Sequence, residues 1–305
     1  MKRVMSVSLG SSTRNHTVET EFLGTKFLIE RIGTDGDMDE AIQIISKYDG
    51  IVDAFGLGGI DLYIYAGPNR YTFRDAERIA RAAKKTPIVD GSGLKNTLER
   101  KVIAYLQNEM GMVFAGKKVL MVCAVDRFGM AESFWEAGAT MEFGDLIFAL
   151  GIPVSISSLK SLERLARIMA PVVVKLPFKM LYPTGEKQEK VNPKYARYYD
   201  RSDIIAGDFH FIRRYMPEKL TGKCIITNTV TPNDVELLRD RGAGLLVTTT
   251  PELNGRSFGT NVMEGVLIAL TGKTPDKMSP ENYSEILEQI GFKPRVVNFL
   301  NEQVT

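Results

Sequence analysis

The sequence predicts an α/β protein: two α/β domains, the second a Rossmann-type doubly wound parallel sheet, closed by a C-terminal helical return. Three observations predict it. Short apolar runs alternate with amphipathic helical patterns along the chain. The run Lys118–Val125 is unbroken and apolar, as expected for a strand covered on both faces of a parallel sheet. A helical pattern, Met130–Ala137, then stops at Gly138 before a second run, Thr140–Phe143, which makes a βαβ unit.

The elements follow in order. Arg3–Leu9 reads as a first strand, and Thr17–Ile32 as one or two more with Gly24 as a break. Asp37–Lys47 carries Met38, Ala41, Ile42, Ile44 and Ile45 on a helical face, with acidic residues at its start. Val52–Leu57 is a strand running into Gly58-Gly59, and Leu62–Phe73 is a hairpin turned by Gly67-Pro68-Asn69. Ala76–Lys84 is helical, Pro87–Val89 is a strand and Leu94–Met110 is a long helix. A boundary near Gly111–Gly116 follows, which sets a first domain at 1–112, a second at 113–258 and the helical return at 259–305, packed on the first.

Beyond the βαβ unit, Val154–Ser157 reads as a strand and Ser161–Met169 as a helix. The segment Pro171–Arg201 holds four prolines, many lysines and Tyr195, Tyr198 and Tyr199. It reads as an insertion, a lid or a homo-oligomer contact, with the tyrosines as packing groups. Asp203–Ala206, Cys224–Thr227 and Leu245–Thr248 are strands, with a helix at Pro232–Arg241. Gly259–Leu270 and Pro280–Ile290 are the returning helices.

Composition excludes several classes. The 305 residues carry 39 basic and 37 acidic side chains, a net charge of +2, which lacks the basic excess of a nucleic-acid partner. Two cysteines make no disulfide framework, and Cys123 and Cys224, each inside an apolar run, read as buried thiols. His16 and His210 are far apart in sequence, so no metal cluster is expected. The apolar run behind Met1-Lys2-Arg3 is too short for a signal peptide and no stretch is long enough for a membrane span, so no membrane partner and a cytoplasmic location are the expectations.

In a doubly wound sheet, ligands lie outside the carboxyl ends of the strands at a switch point. The first βα turn of the second domain is Cys123-Ala124-Val125-Asp126-Arg127-Phe128-Gly129-Met130. A helix start there offers free N–H groups to a pyrophosphate, and Arg127 adds a cation. Asp126, Gly129 and Met130 belong to the same turn. Asp145, past the next strand, is placed to accept hydrogen bonds from an adenosine ribose diol, which favours NAD over NADP. The turn has one glycine where the usual fingerprint has three, so a Rossmann-shaped domain that binds no dinucleotide is the competing reading. Thr227-Asn228-Thr229 and Thr249 end two further strands, where nicotinamide enzymes line the ring and ribose; helix capping is the alternative for them.

Candidate catalytic groups lie at strand ends. Lys95, near a helix start whose dipole disfavours an ammonium, pairs with Asp61 or Asp90 as a base for a carbinol proton. His210 is an alternative proton relay after Asp203–Ala206. Ser11, Ser12 and Arg14 follow the first strand and suit a substrate hydroxyl or carboxylate. Asn96 and Thr97 flank Lys95, and Asn261, with the stretch Gly255–Thr260 before it, opens the returning helix as a candidate closure of the cleft. Gly56-Leu57-Gly58-Gly59 is glycine-rich but precedes a strand pattern, so it reads as a tight turn rather than a phosphate loop.

On these residues the chain resembles the shikimate/quinate dehydrogenase family. The likeness rests on domain order, on the lysine turn Gly91-Ser92-Gly93-Leu94-Lys95-Asn96-Thr97, and on Met263–Leu270 followed by Thr271-Gly272-Lys273-Thr274-Pro275. The family's Asn-Val-Thr-x-Pro-x-Lys run is absent as such. A more distant likeness, to acyl-carrier-protein reductases, rests on Leu57-Gly58-Gly59 and the second domain. The resemblance implies an NAD- or NADP-dependent dehydrogenase acting on a small polar hydroxy or oxo carboxylate, with Lys95 as its catalytic lysine. A ligand sensor without turnover and a nucleotide-sugar-type transferase are the alternatives.

Overall fold

The computed structural model describes residues 1–66, 69–181, 192–253, 256–257 and 259–300. Strand β1 (Lys2–Ser8) is buried from Val4 onward and has parallel neighbours on both sides. β2 (His16–Phe22) and β3 (Thr25–Gly33) form a hairpin turned by Leu23 and Gly24, whose φ values of 50° and 74° are both positive, as the twist of a two-residue hairpin turn favours. Helix α1 (Met38–Tyr48) starts where the Asp37 side chain accepts the N–H groups of Asp39 and Glu40. β4 (Ala54–Gly58) leads to the hairpin of β5 (Tyr63–Ala66) and β6 (Asn69–Thr72); the Gly67-Pro68 part of its expected turn lies outside the described residues. Then come α2 (Arg74–Ala80), β7 (Ile88–Val89) and α3 (Ser92–Asn108).

The second half opens with β8 (Lys118–Met121), α4 (Phe128–Glu136), β9 (Thr140–Phe143) and α5 (Asp145–Leu150). It continues through α6 (Leu159–Val173), α7 (Phe178–Leu181), α8 (Ala196–Asp200), β10 (Ile204–Gly207) and α9 (Phe209–Tyr215). β11 (Cys224–Thr227), α10 (Pro232–Asp240), β12 (Leu245–Thr248) and the short pair β13 (Glu252–Leu253) and β14 (Arg256–Ser257) follow. The chain ends with α11 (Thr260–Thr271), α12 (Pro280–Gln289) and β15 (Arg295–Asn298). β8 is shorter than the apolar run suggests. Val122 N still bonds Ala206 O, but the amides of Ala124 and Val125 turn to the Asp145 side chain instead of a strand. Val154–Ser157 forms no strand; Ile156 makes an isolated antiparallel bridge to Phe143.

The chain forms two compact units. The first comprises Met1–Thr97, Arg167–Gln188 and Gly259–Phe292. Its five strands run in the order β2-β3-β1-β4-β7, parallel except at β2. On one face Met5, Val7, Phe55 and Leu57 meet Ala41 and Ile45 of α1 and Ala76 and Ile79 of α2. On the other face, beyond Val4, the side chains are small: Ser6, Ser8, Ala54, Gly56 and Gly58. α11 lies directly on them, and a Cβ on Gly56 would sit 3.0 Å from the Asn261 carbonyl oxygen. The first part of the proline-rich segment joins this unit: Val174 and Phe178 are in its core, Arg74 N donates to Val174 O and Phe178 N to Asp75. Apolar side chains at 174 and 178 find their burial there. Residues 182–191 of that segment lie outside the described set.

The second unit comprises Leu98–Ala166, Glu189–Phe258 and Lys293–Thr305. Its sheet runs β15-β12-β11-β10-β8-β9, with β8 through β12 parallel and β15 antiparallel. The order reverses between β8 and β10, which is the switch point of a doubly wound sheet. Tyr195 and Tyr199 pack edge-on to Phe148, at 5.7 and 5.9 Å between ring centres, so these tyrosines are core residues. Among the described residues no helix is long and apolar enough to cross a membrane.

Candidate functional site

Polar residues gather at the carboxyl ends of the strands in each unit. In the first, β7 runs out into Asp90 and Gly91, and α3 begins. Gly91 has a φ of 95°, and a Cβ there would lie 2.7 Å from Asn261 N, so conformation and space both require glycine. Asp90 accepts from Leu62 N at 2.6 Å, Tyr63 N at 3.0 Å and the Ser92 hydroxyl at 2.6 Å. It thereby ties the loop after β4 to the start of α3. That tie brings Asp61 to Lys95, with Nζ 3.4 Å from Oδ1. Lys95 is only 7% exposed, unlike a solvated surface lysine.

Behind this pair lies Glu264, in the middle of α11. Its Oε1 accepts from the Tyr283 hydroxyl at 2.6 Å and its Oε2 from Gly91 N at 2.8 Å. Burial, with the charge of Asp90, pushes its carboxyl up to about 8, against the opposite pull of Tyr283, Gly91 N and Lys95. Asn261 joins the same corner, its Nδ2 3.0 Å from Ser6 Oγ. Thr97 is buried, whereas Asn96 faces solvent. Ser11, Ser12 and Arg14 form a helical turn after β1. Ser11 caps it, Ser12 N donates to Asp35 and Arg31 donates to Ser11 O, so these groups hold the loop together.

In the second unit the turn after β8 departs from the sequence expectation. Asp145 does not face outward for a ribose. Its Oδ1 accepts the N–H groups of Ala124 and Val125, each at 2.9 Å. Oδ2 is buried without a hydrogen-bond partner, and burial pushes this carboxyl up to about 6 against the pull of the two amides. Arg127 is likewise unavailable to a ligand. It is 2% exposed, ion-paired with Glu99, and has NH2 3.4 Å from Asp208 Oδ2. Gly129 and Met130 are packed within α4, and Asp126 is partly exposed. The amides and the cation expected to hold a pyrophosphate are therefore engaged internally, and the turn does not fit that group.

The remaining candidates of this unit gather near the switch point. Thr227 Oγ1 donates to Gly207 O at 2.8 Å. Asn228 Nδ2 donates to Asp208 Oδ2 at 2.8 Å, Thr229 is partly exposed, and Thr249 Oγ1 is buried without a hydrogen-bond partner. Burial alone would raise the Asp208 carboxyl, but His210, Arg127 and Asn228 bring it below its ordinary value. His210 is exposed on α9 and its N–H donates to Asp208; it belongs to the other unit from Lys95. Burial raises both thiols, Cys224 to about 12, which disfavours a thiolate nucleophile. Among the described residues no cluster suits a metal ion. Sequence reasoning did not assign Glu264, Tyr283 or Glu99. A glutamate inside the apolar run Val262–Leu270 was the available signal, since a lone acid on a buried helix needs partners.

Residues 93–299, more than half of the chain, match a domain of unknown function, DUF8754. The chain belongs to the DUF8754 family. Residues 3–90 of this DUF8754 protein match a second domain of unknown function, DUF8753. No curated protein matches it. Solved structures similar to the DUF8754 chain include a galactofuranose binding protein, 14% identical over 95% of this chain and 99% of that one, with a TM-score of 0.37. An NAD-dependent malic enzyme from Thermotoga maritima is 10% identical over 95% and 84%, with a TM-score of 0.35. L-tryptophan dehydrogenase from Nostoc punctiforme is 11% identical over 95% and 80%, with a TM-score of 0.38. Likeness at this level assigns no activity to the chain.

Proposed function

We propose that the chain is an oxidoreductase acting on a small polar hydroxy or oxo carboxylate, of the shikimate or quinate kind. The observation that carries this reading is buried Lys95 at the start of α3, paired with half-buried Asp61. A carbinol that is oxidised must lose its hydroxyl proton, and a lysine held out of water is a group that can take it. Asp61 orients the ammonium. Asp90 and Glu264 hold the turn that presents it. The reading calls for NAD or NADP as oxidant, held without the amides of Ala124 and Val125.

The test has two parts. Thermal shift with NAD, NADP, their reduced forms and UDP reports which ligand the folded chain binds. Turnover of hydroxy acids by wild type and Lys95→Ala then reports the role of the lysine. Dinucleotide stabilisation together with loss of turnover in Lys95→Ala supports the reading; undiminished turnover in that variant refutes the site. A second reading, a ligand-responsive protein without turnover, is favoured by Asp145 at the phosphate turn. It expects metabolite binding and no turnover.

A further inference from the structure

The turn after β8 has the form of an anion site. Two backbone N–H groups, of Ala124 and Val125, converge at the carboxyl end of a parallel strand, ahead of a helix. In this chain the point of convergence is filled from within, by Asp145 Oδ1. The arrangement is costly for a carboxylate: Oδ2 is buried with no hydrogen-bond partner from the protein. A side chain serving only to cap two amides could do so as a neutral amide or hydroxyl. Asp145 instead presents an anion, as a phosphate would.

The surrounding charges reinforce this. The Arg127 guanidinium is turned to Glu99 and Asp208, and the charge of Asp126 adds to theirs. An external phosphate approaching the turn meets Asp145 on the amides and a cation already neutralised. Gly207 on the next strand has a φ of 132°, and a Cβ there would lie 2.6 Å from Val122 Cγ2 and 3.4 Å from Cys123 N, so only glycine leaves room for the turn.

We propose that Asp145 is a built-in occupant of this anion site, and that a phosphate or pyrophosphate group from outside is admitted only when the Asp145 side chain is removed. The inference does not rest on the Lys95 reading, and its test reads binding rather than turnover, so the two fail separately.

The experiment is calorimetric titration of the full chain with inorganic pyrophosphate, and separately with NAD, for wild type, Asp145→Ala and Asp145→Asn. Asp145→Asn keeps an oxygen that accepts both N–H groups, so it stays closed. Expected is pyrophosphate binding at least about tenfold tighter to Asp145→Ala than to the other two, since two N–H groups gain a charged acceptor. NAD bound equally by wild type and Asp145→Ala, with pyrophosphate confined to Asp145→Ala, also supports the proposal and places the dinucleotide's phosphates elsewhere. Pyrophosphate bound as tightly by wild type, or not at all by folded Asp145→Ala, overturns it. Should Asp145→Ala fail to fold, amide NMR decides. The Ala124 and Val125 signals are expected to move together as Asp145 titrates in wild type and to stay fixed in Asp145→Asn. Signals that ignore the titration in wild type overturn the proposal.

Discussion

Glu264→Gln removes a charge that the first unit carries in its interior only at alkaline pH. The Glu264 carboxyl is raised from an ordinary 4.5 to about 8, chiefly by burial. An acid whose folded value is raised favours folding when protonated, so its contribution is complete below its unfolded value and is lost as pH climbs through the folded one. Each pH unit of that window is worth about 1.4 kcal/mol, so the ceiling is on the order of 5 kcal/mol, and relaxation around the charge will lower it. A glutamine can accept from Gly91 N with its oxygen and donate to the Tyr283 hydroxyl with its nitrogen, so both tethers survive. The assay is urea unfolding of both chains at several values between about pH 5 and about pH 9. Wild type is expected to lose at least about 2 kcal/mol more than Glu264→Gln across that range. Parallel profiles would refute the assignment of a neutral Glu264.

Three further outcomes follow from the geometry. Lys95→Ala should lower turnover about 10²- to 10⁴-fold with a native circular dichroism spectrum, and Lys95→Arg should not rescue it, because guanidinium holds its proton. Arg127→Met takes the guanidinium away from Glu99, a carboxylate only 1% exposed. It should cost roughly 3–5 kcal/mol in denaturant unfolding, and Glu99→Gln in the same chain should recover much of it. Gly56→Ala places a Cβ 3.0 Å from backbone of α11 and should destabilise by about 1–3 kcal/mol, read as a lower melting temperature.

Alternation of apolar runs and helical faces made the parallel sheets legible, because period and burial are local properties of the chain. The βαβ unit at 118–143 and strands β10, β11 and β12 stand where the runs stand, whereas β15, read as part of a helical return on the first domain, is the antiparallel edge of the second sheet. What local pattern could not convey is where a side chain spends its hydrogen bonds. Asp145 sits at a position that suits a ribose, yet the nearest unsatisfied donors are its own neighbours' amides, 20 and 21 residues earlier. Val174 and Phe178 look like part of an insertion but find their apolar partners among strands far upstream. Lys95 and Asp61 were readable as a pair since both follow strand ends. Glu264 was not, because its partners Gly91 and Tyr283 lie on either side of it in sequence and meet only in the fold.

The seat of α11 on β1 and β4 has a bearing on how the chain reaches this state. Asn261 bonds Ser6 across 255 residues, so the first sheet is covered on that face by a helix synthesised long after it. Closing so long a loop precedes any gain from the contact, which makes the step slow relative to local pairing. A nascent chain emerging from the ribosome therefore displays Val4, Ala54 and the bare glycines of β4 for most of its synthesis. During that interval it would be a substrate for chaperones and prone to self-association.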